Sequence, residues 1–407
     1  MQGHNKRGCA AVFVFFASCG RMRKVVSVLS VCLLATGLKA QEPHLASKAE
    51  DSLLAARKRS FLPVPVLGYS PEKGFEFGVV ALYSYYGDKK NPSLLTRNSS
   101  ASVLTTFTTN SQFKLDLRFE NWTRDNLWHI RTNFRYHDFP LYFYGIGDTT
   151  HYDNRSLVGN KRYKVSAEAE RRVSRHFYAG LSLLFQHDKY SSDDPKGVYP
   201  TADLIDKTGG YYTFIGATGI FDNRDNQNYT TKGSFVRLNI SWAPDFLSTR
   251  ALWRLEGKAS HFFRLTDKST LGLNGYAVST QGDVPFYMMG EMGNDNIMRG
   301  YYTGRYRDKN YMAAQAEYRY FLDPGVRVRF WFIDAHPTFA LAGFAGAGTV
   351  FSNRNIDINP KPNYGAGIRW FYDKSSRLTV RLDYGVGEKR AGEKRQSGFY
   401  LSIAEAF

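Results

Sequence analysis

Cysteine is absent from Gln41 onward. All three cysteines, Cys9, Cys19 and Cys32, fall in the first 40 residues, so the body of the chain has neither a disulfide framework nor a cysteine metal site. Acidic residues are missing from those same 40 positions, which carry six Lys/Arg (Lys6, Arg7, Arg21, Arg23, Lys24 and Lys39). Beyond them no run of 18 apolar residues occurs, which excludes helical membrane spans. The HExxH, CxxC, GxSxG and phosphate-loop patterns are all missing, and the nine histidines are dispersed. That leaves catalysis only the route of a triad gathered from distant strands, with Asp283, His129 and His261 as candidates. Polar residues lining a wet interior are the plainer reading, and no catalytic, cofactor or metal site is expected.

The leader has the order of an export signal. Met22-Arg23-Lys24 is a basic start, Val25–Leu38 an apolar stretch, and Lys39-Ala40 a small-residue end before Gln41. The apolar stretch is too short to span a bilayer comfortably. Met22 already begins a complete signal, so translation is expected to start there and residues 1–40 to be removed. Their loss lowers the formal charge from +17 to +11. Such a basic balance invites a nucleic-acid reading, but acids alternate with the Lys and Arg and the chain is exported, so no nucleic-acid partner is expected.

Aromatics make up 15% of the residues, with 27 Tyr and 30 Phe, yet the mean hydropathy is −0.41. From Phe61 onward the dominant period is two. In "FKLDLRFE" (113–120), Phe113, Leu115, Leu117 and Phe119 alternate with Lys114, Asp116, Arg118 and Glu120, and successive strand side chains point to opposite faces. Wound as a helix, the apolar set would scatter around the axis. The pattern returns in "WHIRTNFRY" (128–136), "YKVSAEAE" (163–170), "MAAQAEYRY" (312–320) and "LTVRLDYGV" (378–386).

Alternation alone fits a soluble sandwich or a membrane barrel, since one face is apolar and the other charged in both. The export leader, the strand lengths of 10 to 15 residues and the aromatic load favour the barrel. The periodicity predicts sixteen strands between Phe61 and Phe407; outside them, 323–336 is the weakest stretch and reads as a turn, an extension of a neighbouring strand or a strand of its own. The expected architecture is therefore an all-β, 16-stranded antiparallel transmembrane β-barrel over 61–407, preceded by a polar tether at 41–60 that is too short to be a domain. "SPEKG" (70–74) is expected among short periplasmic turns, and 191–210 and 282–310 among long outer loops.

Three segments carry more than alternation. They are "GIFDNRDNQNYTTKG" (219–233), "IMRGYYTGRY" (297–306) and the aromatic Phe407. In this order and spacing they resemble the BamA/TamA family of outer-membrane proteins, the bacterial surface antigen family, over most of 61–407. Without the resemblance, Asp222, Arg224, Asp225 and Gly233 make a closed turn, and Arg299 is either a solvated loop arginine or one that needs carboxylate partners.

The resemblance implies that the long sixth outer loop folds back into the barrel. Arg299 would then brace against the inner wall, with Gly300 permitting close approach and Tyr301 packing beside it. Glu317 shares luminal parity with Gln315 and Arg319 and is the implied counter-ion. Gly346 stands where relatives often have Asp, and Thr230 where they have Pro. Phe399, Leu401, Ile403 and Phe407 would share one face as an outer-membrane assembly signal, interrupted by Glu405.

The implied function is protein assembly, insertion or translocation at the outer membrane. Relatives collect substrate on periplasmic POTRA domains, so a separate periplasmic partner is expected in their place. The remaining expected partners are outer-membrane lipid and the assembly machinery that reads the C-terminal strand. The alternative is a passive channel or transporter for small solutes; an enzyme at the lumen mouth is the third reading.

Overall fold

The computed structural model describes residue 57 and residues 59–407, apart from 71–73, 89–91, 110, 193–194, 331–332, 336, 354–355, 357 and 375. The leader expected over 1–40, with its start at Met22, and nearly all of the 41–60 tether lie outside the described residues.

Among the described residues the main sheet has 17 strands, one of them the three-residue Leu141–Phe143. The sixteen long strands are β1 (Ser60–Ser70), β2 (Gly74–Tyr85), β3 (Ser99–Thr108), β4 (Phe113–Trp122), β5 (Trp128–Asp138), β6 (Ser156–Arg172), β7 (Phe177–Ser191) and β8 (Gly209–Asp222), followed by β9 (Gly233–Ala243), β10 (Leu252–Arg264), β11 (Ser269–Gly282), β12 (Asn310–Leu322), β13 (Phe339–Phe351), β14 (Lys361–Asp373), β15 (Leu378–Val386) and β16 (Ser397–Ile403).

Each long strand pairs antiparallel with its neighbour in sequence. Near the ends of the sheet, the Tyr372 hydroxyl on β14 donates to the Phe61 carbonyl on β1 at 2.8 Å. Beside that bond Leu62, Val64 and Leu82 pack with Leu378, Val380 and Ile403. The sheet returns on itself as a barrel.

Burial follows the two-residue period in the sense opposite to a water-soluble protein. Leu181, Ile215, Leu238, Trp253 and Leu382 are exposed on the outside, while Asp116, Glu170, Asp188, Arg319 and Asp383 are buried within. On β4, Asp116 accepts from Arg118, Asn133 and Arg135, so the charges that alternate in the sequence neutralise one another across the inner wall. Among the described residues no helix is long and apolar enough to cross a membrane.

The structure corrects two expectations. Because every ladder is antiparallel, connections alternate between the two ends, and the paired Ser70 and Gly74, where β1 ends and β2 begins, lie at the end that also bears the β7–β8 and β11–β12 connections. Strand parity decides the end of a connection, and its length does not. The stretch 323–336, open in the sequence between a turn, a strand extension and a strand of its own, holds Val328–Phe330 and Ile333–Ala335, which pair antiparallel with each other outside the main sheet. β16 stops at Ile403, and beyond it the chain turns inward.

At the end bearing 283–309 the loops share an apolar core. Phe143, Tyr199, Phe286 and Tyr287 belong to one buried cluster, with ring centroids of Phe143 and Phe286 5.1 Å apart. This core holds the long loop down, so that its middle enters the lumen.

Candidate functional site

The loop between β11 and β12 makes a tight turn at 294–301. Asn294 accepts the N–H groups of Asn296 and Ile297 through Oδ1 at 2.8 and 2.9 Å, an Asx-type closure. Met298 and Gly300 both have positive φ, +57° and +110°, and this reversal presents Arg299 to the wall. A Cβ on Gly300 would lie 2.5 Å from the Val386 carbonyl carbon, and one on Gly385 would lie 2.6 Å from that of Arg299. The approach of loop to β15 is thus backbone against backbone, which only glycine permits.

Arg299 is wholly buried. Its Nη2 meets Glu317 Oε2 on β12 at 2.6 Å, and its Nη1 pairs with Asp383 Oδ2 on β15. The guanidinium carbon stands 3.5 Å from the centroid of the Phe344 ring on β13, a cation–π contact inside a water-poor site. Asn363 Nδ2 donates to the Arg299 carbonyl at 3.0 Å.

The same carboxylates hold further arginines. Arg319 Nε reaches Glu317 at 2.8 Å, Arg369 bonds Asp383, and Arg381 Nη1 reaches Asp383 at 3.0 Å. Glu405 joins from beyond β16, 3.2 Å from Arg369 and 3.6 Å from Arg319. Charges this deeply withdrawn from water are tolerable only as a mutually paired lattice.

Gly300 N–H donates to Tyr400 Oη at 2.8 Å. Tyr301 Oη donates to the Pro362 carbonyl at 2.7 Å and accepts from Glu388 N–H at 3.0 Å. Arg299, Gly300 and Tyr301 therefore bridge β12, β14, β15 and β16 from the inside.

At the other end, Asp222, Arg224, Asp225 and Gly233 share one turn but divide its work. Asp222 points inward and accepts from Arg224 Nε at 2.9 Å, with Arg97 as its second partner. Asp225 accepts from Thr231 N–H at 2.8 Å and Lys232 N–H at 3.1 Å. Burial resists its ionisation, yet these N–H groups, the Thr231 hydroxyl and Arg377 outweigh it and hold the carboxyl below the usual range. Gly233 has φ +106°, and a Cβ there would meet the Asn223 carbonyl at 2.6 Å. Thr230, in place of the expected Pro, donates its hydroxyl to the Asn226 carbonyl at 2.7 Å.

The shared face expected for Phe399, Leu401, Ile403 and Phe407 requires correction. Phe399 and Leu401 are exposed outside, whereas Phe407 is buried and stacks on Phe262 at 5.9 Å. Ala404, with φ +66°, turns the chain. On a straight strand Glu405 would follow Phe399 and Leu401 onto the lipid face, where a carboxylate is costly; turned inward, it finds Arg369 and Arg319.

Asp383 escaped the sequence reading, although its signal is present, since Arg381 and Asp383 share one parity in "LTVRLDYGV". The acid missing at Gly346 would not fit: a Cβ there comes within 2.5 Å of the Ala314 carbonyl. Asp383 supplies the second carboxylate from a different strand.

The three catalytic candidates are not brought together. His129 lies between Glu120 and Glu170, 2.8 and 3.1 Å away. His261 bonds Ser234 at 2.7 Å, and Asp283 is exposed beside Arg250 at 4.0 Å. Among the described residues no group of three His, Cys, Asp or Glu is placed to hold a metal ion.

A profile of the Omp85 superfamily domain matches residues 94–407. Among solved structures, the chain is similar to BamA from Haemophilus ducreyi lacking POTRA domains 1-3, at 14% identity and a TM-score of 0.53, covering 86% of this chain and 70% of that one. It is also similar to CdiB from Escherichia coli, at 10% identity and a TM-score of 0.55, covering 85% of this chain and 62% of that one. The chain thus spans less than two thirds of CdiB, and at these identities the likeness is one of fold. No curated protein sequence matches the chain.

Proposed function

The chain belongs to the Omp85 superfamily, and from that premise we propose that it is an outer-membrane barrel for protein assembly, insertion or translocation, fed by a separate periplasmic partner. The observation that carries this reading is Arg299, a loop arginine buried between a carboxylate on β12 and another on β15. A loop pinned inside the lumen suits a protein whose work depends on the state of its wall and seam. A solute channel would use the same loop as its constriction, and conductance separates the two readings.

The supporting roles follow from placement. Gly300 and Tyr301 seat the loop, Glu317 and Asp383 receive it, and the 223–232 turn with Asp222, Arg224, Asp225 and Gly233 braces the opposite mouth. Phe399, Leu401 and Ile403 remain with the wall as the part read by assembly machinery.

Planar-bilayer recording tests the reading. The expected result is a mostly closed wild-type barrel that opens in Arg299→Ala, together with faster folding of a urea-unfolded β-barrel client when the wild-type protein is present in the liposomes. A steady large conductance in the wild type with no effect on the client would replace this reading with the solute channel.

A further inference from the structure

The connection between β15 and β16 contains one four-residue unit twice. "GEKRAGEKR" (387–395) repeats Gly-Glu-Lys-Arg on either side of Ala391. The repeat folds about a turn in which Glu393 N–H donates to the Arg390 carbonyl at 3.1 Å and Gly392 has φ +79°. A Cβ on Gly392 would meet nothing within 4 Å, so the apex of the turn faces open space.

In sequence each unit sets one acid beside two bases, but the structure separates the signs. Glu388 accepts from Tyr306 Oη, while Glu393 accepts from Tyr152 N–H at 2.8 Å and pairs with Arg305 Nη2 at 3.1 Å. Both carboxylates are thus engaged by neighbouring loops. Arg390 follows them inward, its Nη1 donating to the Thr150 carbonyl at 2.5 Å. Lys389, Lys394 and Arg395 stay exposed, and with Gly392 and the edge of Glu393 they line one open hollow.

Arg395 fixes the height of this patch, because its Nη1 donates to Tyr364 Oη at 2.9 Å. Asn363 faces the lumen, where it bonds Arg299, so Tyr364, next along β14, faces outward and is exposed. Tyr384 on β15 is outward in the same way, following the buried Asp383. Tyr364 is three residues from the start of β14 and Tyr384 two from the end of β15, so both rings lie at the end of the wall that carries the loop. Outward tyrosines near the end of a barrel strand mark the level of lipid headgroups. The guanidinium bonded to one of them stands at that level.

From this arrangement we propose that the β15–β16 loop is a docking surface for the phosphate groups of lipid headgroups, with Lys389, Lys394 and Arg395 as the binding cations. Lys and Arg held close to an anionic leaflet each add to the attraction, and a phosphate offers paired oxygens to a guanidinium. The inward glutamates leave these three charges for an external anion.

The lipid as source of the phosphate rests on the outer-membrane reading, but binding is measured in detergent, where neither orientation nor assembly enters. The probe is diphosphoryl lipid A, titrated into the purified barrel in an uncharged detergent and counted by native mass spectrometry. Lys389→Gln/Lys394→Gln/Arg395→Gln should weaken binding roughly tenfold or more, and Lys389→Arg/Lys394→Arg, which keeps the charges, should bind as the wild type does. Inorganic phosphate at the same concentration should leave the lipid in place. Equal affinity of the triple variant and the wild type, in protein that runs as folded on a heat-modifiability gel, overturns the proposal. Displacement by inorganic phosphate also overturns it, since the site would then be one for free anions. Should the triple variant fail to fold, Lys389→Gln/Lys394→Gln answers instead, because both lysines are exposed; it should still bind several-fold more weakly, and unchanged binding overturns the proposal.

Discussion

Arg299 shows how one side chain can fasten a wall. Its planar guanidinium offers two edges, and Glu317 and Asp383 sit on separate strands to receive them. A lysine is a point charge on a flexible stem and cannot span both. Arg299→Lys is therefore expected to lower the unfolding midpoint in detergent nearly as far as Arg299→Ala. The loss should approach the roughly 3–5 kcal/mol typical of breaking a buried pair, read by heat-modifiability or urea titration. Equal stability of Arg299→Lys and wild type would show that one carboxylate suffices.

Legibility at this scale was partial. Glu317 could be read because its parity is local, whereas Asp383 lies 84 residues from Arg299. Nothing short of the closed barrel sets those two together. Glu405 interrupts an otherwise apolar face in the sequence; in the structure that interruption is what turns the chain inward.

The 223–232 turn is the element whose chemistry reports most directly on pH. Asp225 closes it by accepting from Thr231, Lys232 and Arg377, and these partners depress its carboxyl. A carboxyl depressed in the folded state stabilises above its unfolded value, about 3.9, and loses that contribution as pH falls through the folded one. Asp225→Asn should thus be less stable than wild type near neutrality, with the difference shrinking as the pH drops below about 4. Urea unfolding at several pH values measures it, and a difference that grows on acidification would contradict the assignment.

The strands themselves were legible because their alternation is continuous over many residues and needs no distant partner. The short hairpin at 328–335 was not, since its few residues carry too little pattern to separate it from a turn.

At the scale of the molecule, the inverted burial makes a demand on the surroundings. Leu238 lies outside on β9, between the inward Arg237 and Asn239. Leu238→Arg should cost about 2–4 kcal/mol if it sits at the membrane midplane, measured by reversible urea unfolding in lipid vesicles. A neutral result would mean that this face meets water. The two mouths are treated differently: apolar loop packing covers one, and the polar 223–232 turn, through Asn228 Nδ2 to the Ser376 carbonyl at 2.9 Å, crosses the other.

The period of two, the sixteen long segments and the sidedness of each were written in the sequence, because a strand's two faces are set by neighbours one residue away. The end at which each connection lies, the pairing of Arg299 with Asp383 as well as Glu317, and the inward turn of residues 404–407 were decided only by closure. Closing the sheet brings carboxylates and guanidiniums from remote strands into one water-poor volume, where each must find an opposite charge.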